Sequence, residues 1–443
     1  MKLPVSPPPL QSLLLRHAEQ VGRILSLGIG AEVRGAYDHW DHLRHLTPPP
    51  GLNVEQWWLG IKLARQSLRK PLPLHDKSGQ NFRLSPSDSI QRKLFLVARD
   101  AAGALQGTGA LPSATMQDRY LVRSLMEEAM TSSQLEGAAT TTEVAKEMLR
   151  VGRPPRDYGE RMIVNNFQTM QELKRWLDAP LTRNTVFEIH RMLTDGTLKD
   201  PDAAGRFRRA DENIVVEDET GTTLHVPPPA HELPARMQAL CDFANQSDDD
   251  EHFIHPVVRA IIIHFMIGYD HPFVDGNGRT ARALFYWSML RSGFWMTEYF
   301  SISSILKKAP AQYTRAYLYT ETDDSDTSYF ISHQLDVLLK AIDGVHGYIA
   351  RKQRAQREAE ALLKPGSKLG RTLNHRQRAL LLNALKHPGK AFTVAVHRRT
   401  HDIAYDTARS DLLGLVDARL MGRHKQGKAH VFLARPDLGE VLK

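Results

Sequence analysis

The sequence is poor in the features that define several classes of protein. It has one cysteine, Cys241, which cannot form a disulfide within the chain. Its longest apolar stretch, residues 260–267, is interrupted by His264 and is far shorter than the ~20 residues that a bilayer-spanning helix needs. The first residues, MKLPVSPPPLQSLLLRH, lack the apolar core of a secretory signal. We therefore expect no membrane association and a reducing, cytoplasmic compartment.

Positive charge is concentrated at one end of the chain. The net charge is +8, from 58 Lys and Arg against 50 Asp and Glu. Residues 351–443 contain 20 Lys and Arg and 8 Asp and Glu, a net charge of +12, so the preceding 350 residues carry −4. Attraction to a polyanion is therefore expected from the C-terminal tail and not from the rest of the chain.

Helical periodicity dominates residues 89–347, but one segment there has a different pattern. β-Branched runs at 213–217 and 222–226 flank the turn sequence DETG, which predicts a β-hairpin. A lone hairpin is marginally stable unless another element packs on it. It is either a surface decoration or an edge to which an extended peptide adds as a strand.

The C-terminal tail follows a linker rich in charge, Pro, Gly and Ser within residues 351–371, which is the best domain boundary. Two short strands around Gln426 and Gly427 follow three predicted helices, at 376–385, 392–399 and 405–418. This order is typical of a winged helix-turn-helix, predicted for residues 372–443. If the module binds duplex DNA, we expect phosphate contacts from the third helix and the wing, through Tyr405, Thr407, Arg409, Ser410, Lys425 and Lys428. Docking of a protein, or formation of a homodimer, is the alternative.

Residues 271–282, HPFVDGNGRTAR, combine a glycine-rich loop with charged residues. An apolar helical pattern ends at His271, and a second helix begins near Asn277, so backbone N–H groups at its N-terminus form an anion-binding site. Arg279 and Arg282 lie three residues apart, and we expect both to project toward the same anion. A loop of the Gly-x-x-x-x-Gly-Lys-Ser/Thr type is missing, which excludes a Walker-type ATPase.

Two further residues of this segment suggest chemistry at a polyphosphate. Asp275 is a hard oxygen donor suited to Mg²⁺ between phosphates, and His271 could take a proton from an incoming hydroxyl. Each residue alone has a structural explanation, such as a turn or a helix end. The combination does not, because a turn needs neither two cations nor a flanking His and Asp.

The segment resembles the motif of the Fic family, His-x-Phe-x-Asp/Glu-Gly-Asn-Gly-Arg-x-x-Arg, at all eight specified positions. The resemblance covers roughly residues 90–345 and implies ATP with Mg²⁺ and transfer of AMP to a Tyr, Thr or Ser hydroxyl of a target protein. It further implies that His271 is the base, Phe273 anchors the loop and Asp275 binds Mg²⁺. The ATP-binding residues that it implies are Gly276, Asn277, Gly278, Arg279, Thr280 and Arg282. Residues 205–208 and the hairpin at 213–226 are similar to the flap on which the target docks.

A second match lies upstream, where Ser132, Glu136 and Gly137 fit the pattern Ser/Thr-x-x-x-Glu-Gly/Asn. This short pattern is similar to the inhibitory helix of the Fic family, here expected at about 117–136. The resemblance implies that Glu136 pairs with Arg282 and keeps ATP from its productive phosphate geometry.

Taken together, these patterns predict a mainly α protein with an all-helical Fic core, a β-hairpin flap and a C-terminal winged helix-turn-helix. The expected domains are a helical unit at 1–88, a Fic domain at 89–350 and the winged helix at 372–443. The favoured function is an adenylyltransferase inhibited by Glu136. Two alternatives stay open: a Fic-fold enzyme that transfers another phosphate-containing group or removes AMP, and an ATP-sensing, DNA-binding regulator.

Overall fold

The computed structural model describes residues 1–102, 114–247, 249–250, 252–364, 367, 371–387, 389–426 and 429–442. Gly427 and Lys428 of the predicted wing lie outside these ranges. The described residues divide into two compact units, the first within Met1–Ala104 and Arg123–Ile342 and the second within Leu105–Val122 and Asp343–Lys443. The predicted mainly α class is confirmed. Where the structure describes the chain, no helix combines the length and apolarity needed to cross a membrane.

Helices account for most of the chain, with short strands between them. The helices are α1 (Leu10–Arg16), α2 (Val21–Ser26), α3 (Trp40–Leu43), α4 (Val54–Leu68), α5 (Asp88–Ala102), α6 (Ala114–Leu135), α7 (Thr142–Val151), α8 (Tyr158–Glu172), α9 (Arg183–Thr194), α10 (Leu233–Ala244), α11 (Pro256–Asp270), α12 (Asn277–Arg291), α13 (Ile302–Leu306), α14 (Pro310–Thr322), α15 (Ser328–Leu362), α16 (His375–Lys386), α17 (Val394–His401), α18 (Tyr405–Asp417) and α19 (Leu438–Val441). The strands are β1 (Lys70–His75), β2 (Asn81–Leu84), β3 (Val216–Glu217), β4 (Thr223–His225), β5 (Ala391–Phe392), β6 (Met421–Gln426) and β7 (Ala429–Ala434).

The N-terminal residues, predicted as a separate helical unit, lie in the same compact unit as residues 123–342. Helix α4 buries Trp58 and Ile61 in a local apolar cluster with α1 and α2. Buried charge lies beside this cluster on the same helix: Lys62 Nζ lies 2.5 Å from an Asp323 carboxylate oxygen. Arg65, also on α4, donates to the Tyr329 hydroxyl at 2.6 Å. Buried charges need such partners, so these bonds fix α4 against the segment that opens α15.

The core of the first unit is built around α11 and α12, which follow each other directly in the chain. Nearly every residue of α11 is buried. The helix begins with Pro256 at its first turn and ends at His271, whose φ is +45°. Gly276 precedes α12 with φ +80°, and a Cβ there would lie 2.8 Å from Thr194 Cγ2. The left-handed backbone and the close approach together require glycine at this position.

The predicted hairpin is present as β3 and β4, which pair antiparallel with Val216 opposite His225. Its strands are shorter than the predicted runs. In the turn, the Asp218 carboxylate accepts the backbone N–H groups of Thr220 and Thr222 at 2.9 and 3.0 Å. At the other end, His225 Nδ1 lies 2.8 Å from the Glu321 carboxylate and Nε2 lies 2.7 Å from the Tyr269 carbonyl. These contacts hold β4 beside the C-terminal end of α11.

The second unit contains α16, α17, α18 and a three-stranded antiparallel sheet in the order β5-β7-β6. The helix predicted from residue 392 instead begins at Val394, because Phe392 pairs with Phe432 in the sheet and the Thr393 hydroxyl caps α17. Asp411 on α18 is buried and accepts hydrogen bonds from three side chains, those of Asn374, Arg376 and His397. Burial raises the pKa of Asp411, but these bonds outweigh it and lower the pKa to about 2.

Candidate active site

The loop between α11 and α12 is held from inside by its own residues. The Asn277 side chain accepts the Phe273 N–H at 2.9 Å and donates to the Phe273 carbonyl at 2.8 Å. Phe273 is fully buried, as the resemblance implied for an anchor. Asn277, predicted to bind nucleotide, therefore has only its backbone N–H left for a ligand.

His190, on α9, packs against the loop at Phe273 and Asp275, and no sequence pattern indicated this role. Its ring stacks on Phe273 with centroids 3.7 Å apart. The Gly205 N–H donates to Nδ1 at 2.9 Å, so the ring proton lies on Nε2, which donates to the Asp275 carbonyl at 2.9 Å. Burial lowers the pKa of His190 to about 4, which keeps the ring neutral. An amphipathic helix buries many such histidines, so no pattern distinguished this one.

Arg208 holds the beginning of the loop by hydrogen bonds. Sequence patterns assigned it only to the segment that is similar to the flap, and predicted no contact with the loop. Its Nε donates to the His271 carbonyl at 2.8 Å, and its backbone N–H donates to the Pro272 carbonyl at 2.8 Å. Its Nη2 donates to the Pro228 carbonyl at 2.5 Å. The guanidinium thus connects the segment after the flap to the residue predicted to be the base.

Among the residues that the structure describes, the His271 imidazole has one nitrogen in a hydrogen bond and one available. Nδ1 lies 3.2 Å from the Gly268 carbonyl, an acceptor, so Nδ1 carries the proton and the Nε2 lone pair can accept another. Burial lowers the pKa of His271 to about 4. The ring is therefore neutral at pH 7, as a general base must be.

The first turn of α12 presents backbone N–H groups. The first helical bond runs from Thr280 N to the Gly276 carbonyl, so the N–H groups of Asn277, Gly278 and Arg279 precede it and have no acceptor within the helix. This is the predicted anion site. The Thr280 hydroxyl is buried and also donates to the Gly276 carbonyl, at 2.9 Å, so Thr280 supports the turn from inside the protein.

Arg279 is fully buried and lies on the inner side of the loop. Its Nη1 donates to the Leu193 carbonyl at 3.0 Å, and Nη2 lies 3.6 Å from Asp275 Oδ1. Within the described residues, Nε and Nη2 have no hydrogen-bond partner. A buried guanidinium with unused donors is costly, and a bound anion would supply the missing acceptors.

Arg282 takes a different direction from Arg279. Its Nε donates to the Ser132 hydroxyl at 2.8 Å, and its Nη2 donates to the Ser132 carbonyl at 3.0 Å and to Glu136 Oε1 at 2.8 Å. The two arginines were expected to project together. They part because three positions on a helix differ by about 60° around its axis, which turns Arg279 toward α9 and Arg282 toward α6.

The Glu136 carboxylate lies directly on the anion site. A Cβ at Gly278 would collide with this carboxylate, so a larger residue there would have to displace it. Burial raises the pKa of Glu136, but the charge of Arg282 outweighs burial and lowers the pKa below its ordinary value. Gly137 follows with φ +94°, a conformation that ends the helix. The predicted trio of Ser132, Glu136 and Gly137 therefore meets the loop at Arg282 and Gly278.

Asp275 stands at the outer edge of the loop, with 44% of its side chain exposed. Oδ1 accepts the Gly276 N–H at 2.5 Å, and Oδ2 lies 3.5 Å from the Tyr158 hydroxyl. In the part of the chain that the structure describes, no group of three or more His, Cys, Asp or Glu could hold a metal. One accessible carboxylate beside an anion site still fits Mg²⁺, which commonly binds one carboxylate and completes its shell with phosphates and waters.

Comparisons with known proteins agree with this geometry. Residues 180–289 match the model of the Fic/DOC family. The chain is 29% identical over 218 residues to protein adenylyltransferase Fic of Nematostella vectensis, an alignment that covers 48% of this chain and 45% of that protein. It is 33% identical over 114 residues to protein adenylyltransferase Fic of Drosophila willistoni, covering 26% of this chain and 20% of that protein. The chain thus spans less than half the length of these curated relatives.

Two solved structures share the fold. One is a Fic family protein from Desulfovibrio desulfuricans G20, with a TM-score of 0.50 and 16% identity, covering 78% of this chain and 94% of that one. The other is Fic-1 of C. elegans, with a TM-score of 0.50 and 18% identity, covering 79% and 90%. The predicted Fic fold of the core is therefore confirmed.

Proposed function

We propose, from the match of residues 180–289 to the Fic/DOC family model, that the chain is a protein adenylyltransferase that moves AMP from ATP to a Tyr, Thr or Ser hydroxyl of a target protein. The observation that carries the proposal is the convergence on one loop of an imidazole with an available Nε2, unpaired N–H groups at a helix N-terminus, and two buried guanidiniums. Each of these groups suits one part of the reaction.

The chain's own residues supply the proton transfer and the phosphate contacts. His271 Nε2 takes the proton from the attacking hydroxyl, whose oxygen forms a bond to the α-phosphorus of ATP. The bond from that phosphorus to the oxygen bridging the β-phosphate breaks, and pyrophosphate leaves with its electron pair. The N–H groups of residues 277–279 and the unused donors of Arg279 neutralise phosphate charge where it develops.

Asp275 would hold Mg²⁺, and the bound ion would supply charge neutralisation between phosphates. Its side chain is accessible and lies next to the helix N-terminus. The Tyr158 hydroxyl, 3.5 Å from Oδ2, helps to orient it. A second carboxylate would not be needed, because phosphates and waters would supply the remaining ligands of the ion.

Glu136 is the inhibitory residue in this proposal. Its carboxylate occupies the space over Gly278 and engages the Arg282 guanidinium, two positions that an ATP phosphate would need. The negative charge would also repel that phosphate directly. ATP can still bind through the first turn of α12 and Arg279, but with its α-phosphate out of line with the hydroxyl.

The target segment docks on the flap formed by β3 and β4. In the described residues this sheet has two strands, so each strand offers an edge for main-chain pairing. Val215 and Val226, which flank the paired residues, are exposed by 39% and 52%. They would accept apolar side chains of the docked segment.

Labelled ATP tests the reaction class. Wild type and Glu136→Gly are incubated with Mg²⁺ and either α- or γ-labelled ATP, and protein-bound label is counted. AMP transfer gives label from the α position alone and more of it in Glu136→Gly. Label from the γ position would instead indicate transfer of a terminal phosphate, and loss of label from a pre-modified protein would indicate AMP removal.

A second candidate function, binding of duplex DNA by the second unit, is favoured by one observation. The first turns of α18 expose Tyr405, Thr407, Arg409 and Ser410, while Ala408 and Leu412 face the core. The order of helices and the β6–β7 hairpin suits a winged helix, whose third helix enters the major groove. Lys425 on β6 is exposed as well.

A further inference from the structure

Helix α6 runs antiparallel to α12 in a regular register. The contacting residues are spaced four apart on both helices. Their numbers rise along α6 and the residue after it, from 128 to 136, while those of their partners on α12 fall from 286 to 278. Three rungs make up this ladder: Glu128 with Tyr286, Ser132 with Arg282, and Glu136 with Gly278. The last two rungs contain the residues of the proposed site and its inhibitor. The first rung lies about one helical turn from the second and two from the third.

The Glu128 carboxylate is 2% exposed and receives four hydrogen bonds. Oε2 accepts from the Tyr286 hydroxyl at 2.9 Å, the Ser301 hydroxyl at 2.7 Å and the Ser303 N–H at 3.1 Å. Oε1 accepts from the Ser303 hydroxyl at 2.5 Å. All four donors are neutral, so this carboxylate is satisfied only where these groups converge.

We propose that Glu128 is a positioning residue for inhibition: its bond to Tyr286 fixes the register of α6 against α12 and so holds the Glu136 carboxylate over Gly278. A slip of α6 by one turn would move every rung by about 5.4 Å. It would leave a buried carboxylate without donors, which makes other registers costly. Glu136 follows the end of α6, and its backbone N–H donates to the Ser133 carbonyl at 3.1 Å. Its position therefore follows the position of α6.

This inference rests on the proposed inhibition by Glu136, and the experiment separates the two. AMP transfer is measured for wild type, Glu128→Gln, Tyr286→Phe and Glu136→Gly, and for Glu128→Gln combined with Glu136→Gly. Glutamine keeps the size of the side chain but offers one acceptor oxygen in place of two, so the four donors are no longer satisfied. We expect Glu128→Gln and Tyr286→Phe each to raise the rate about tenfold, the effect of weakening one charge-assisted hydrogen bond.

The double variant gives the decisive comparison. If Glu128 acts on the rate by positioning Glu136, Glu128→Gln should add nothing once Glu136 is glycine. An equal increase in both backgrounds would overturn the inference, because Glu128 would then act on catalysis directly. A wild-type rate in Glu128→Gln beside a raised rate in Glu136→Gly would also overturn it. If Glu136→Gly itself fails to raise the rate, the proposed inhibition is wrong.

Amide hydrogen exchange supplies a readout that does not depend on inhibition. We expect faster exchange across residues 129–137 in Glu128→Gln, and unchanged exchange there would overturn the positioning role whatever the rates. Glu160→Gln is the matched control, since Glu160 on α8 is 3% exposed and bonded to Arg153 without touching α6. It should leave both the rate and this exchange unchanged.

Discussion

The loop before α12 and the exposed face of α18 are two polar surfaces built in opposite ways. Just after the loop, Arg279 and Arg282 are at most 2% exposed, and each donates to a defined acceptor, the Leu193 carbonyl and the Glu136 carboxylate respectively. On α18, Tyr405 is 53% exposed and Arg409 stands in solvent. The first surface can recognise one geometry of a ligand. The second offers mainly charge, which is weak for each residue and screened by salt.

This difference decides how each region should respond to mutation. A buried site loses binding or activity when one group is removed, because the neighbouring groups are left without hydrogen-bond partners or shift out of position. An exposed basic face loses affinity in small steps. Single substitutions should therefore have large effects in the first unit and small ones in the second.

The largest expected effect is loss of AMP transfer in His271→Ala, made in the Glu136→Gly background so that the starting rate is high. Removing a general base should lower the rate by about 10²- to 10⁴-fold. ATP affinity should change little, because the imidazole acts on the hydroxyl and not on the phosphates. The measurement is incorporation of α-label, together with ATP binding by calorimetry.

His42→Ala is the matched control for that variant, since the His42 side chain is 57% exposed and pairs with Asp38 at the surface. It should keep the parent rate. A near-parent rate in His271→Ala would remove His271 from the role of base.

The next effect concerns the loop itself. Asn277→Ala removes both bonds to Phe273 and leaves a buried N–H and carbonyl unsatisfied, at a cost of about 1–3 kcal/mol for each group. We expect a lower free energy of unfolding and a lower rate, measured by urea denaturation and α-label incorporation. Unchanged stability would mean that water replaces the amide and that the loop does not depend on this side chain.

Acid should destabilise the first unit beginning near pH 6.5. Burial lowers the pKa of four of its histidines to about 4, those of His39, His190, His271 and His333. Between pH 6.5 and 4 the unfolded chain binds protons that the folded unit does not, so the free energy of unfolding falls as the pH falls. Burial raises the pKa of Asp270 to about 6, so its protonation stabilises the folded unit as the pH falls. This is one group against the four histidines.

Tryptophan fluorescence isolates this transition, because all six tryptophans lie between residues 40 and 295, within the first unit. The midpoint of its thermal unfolding should decline from pH 7 to pH 4.5. A midpoint that stays constant over this range would show that the histidines are protonated in the folded state.

The sequence was informative about the site where a residue type carries the chemistry. Motif residues from His271 to Arg282 meet at one loop, and the Glu136–Arg282 pair implied by the family resemblance is present. The supporting residues could not be predicted, because their role depends on tertiary contacts. His190 looks like any histidine of an amphipathic helix until its stacking on Phe273 is seen.

In the fold, too, the features set by local sequence were predicted and those set by tertiary contacts were not. Helical periodicity located the end of α11, the start of α12 and the three helices at 376–385, 392–399 and 405–418 to within a few residues, and β-branched runs located the flap. The start of α17 was misplaced because Phe392 has no local property that distinguishes a strand residue from a helical one, and its partner Phe432 is forty residues away. The different directions of Arg279 and Arg282 follow from the angle of about 60° between their positions on α12, but the partners that they meet on α9 and α6 depend on the tertiary fold.

The smallest expected effects are those on the exposed face of the second unit. If this unit binds duplex DNA, Arg409→Ala should weaken binding only a few-fold, as the loss of one phosphate contact, and should reduce the slope of log affinity against log salt concentration by about 1. Binding is measured by fluorescence anisotropy with a labelled duplex from low to moderate salt.

Arg435→Ala is a matched control, because Arg435 is already paired with Asp437 and should contribute little. Equal losses in both variants would indicate attraction to the net positive charge of the tail and not to this face. No binding at low salt would refute the DNA function and leave docking of a protein or a second copy as the role of the unit. A loss of more than a hundredfold in Arg409→Ala would contradict the comparison itself, since it would show that an exposed side chain can be as decisive here as a buried one.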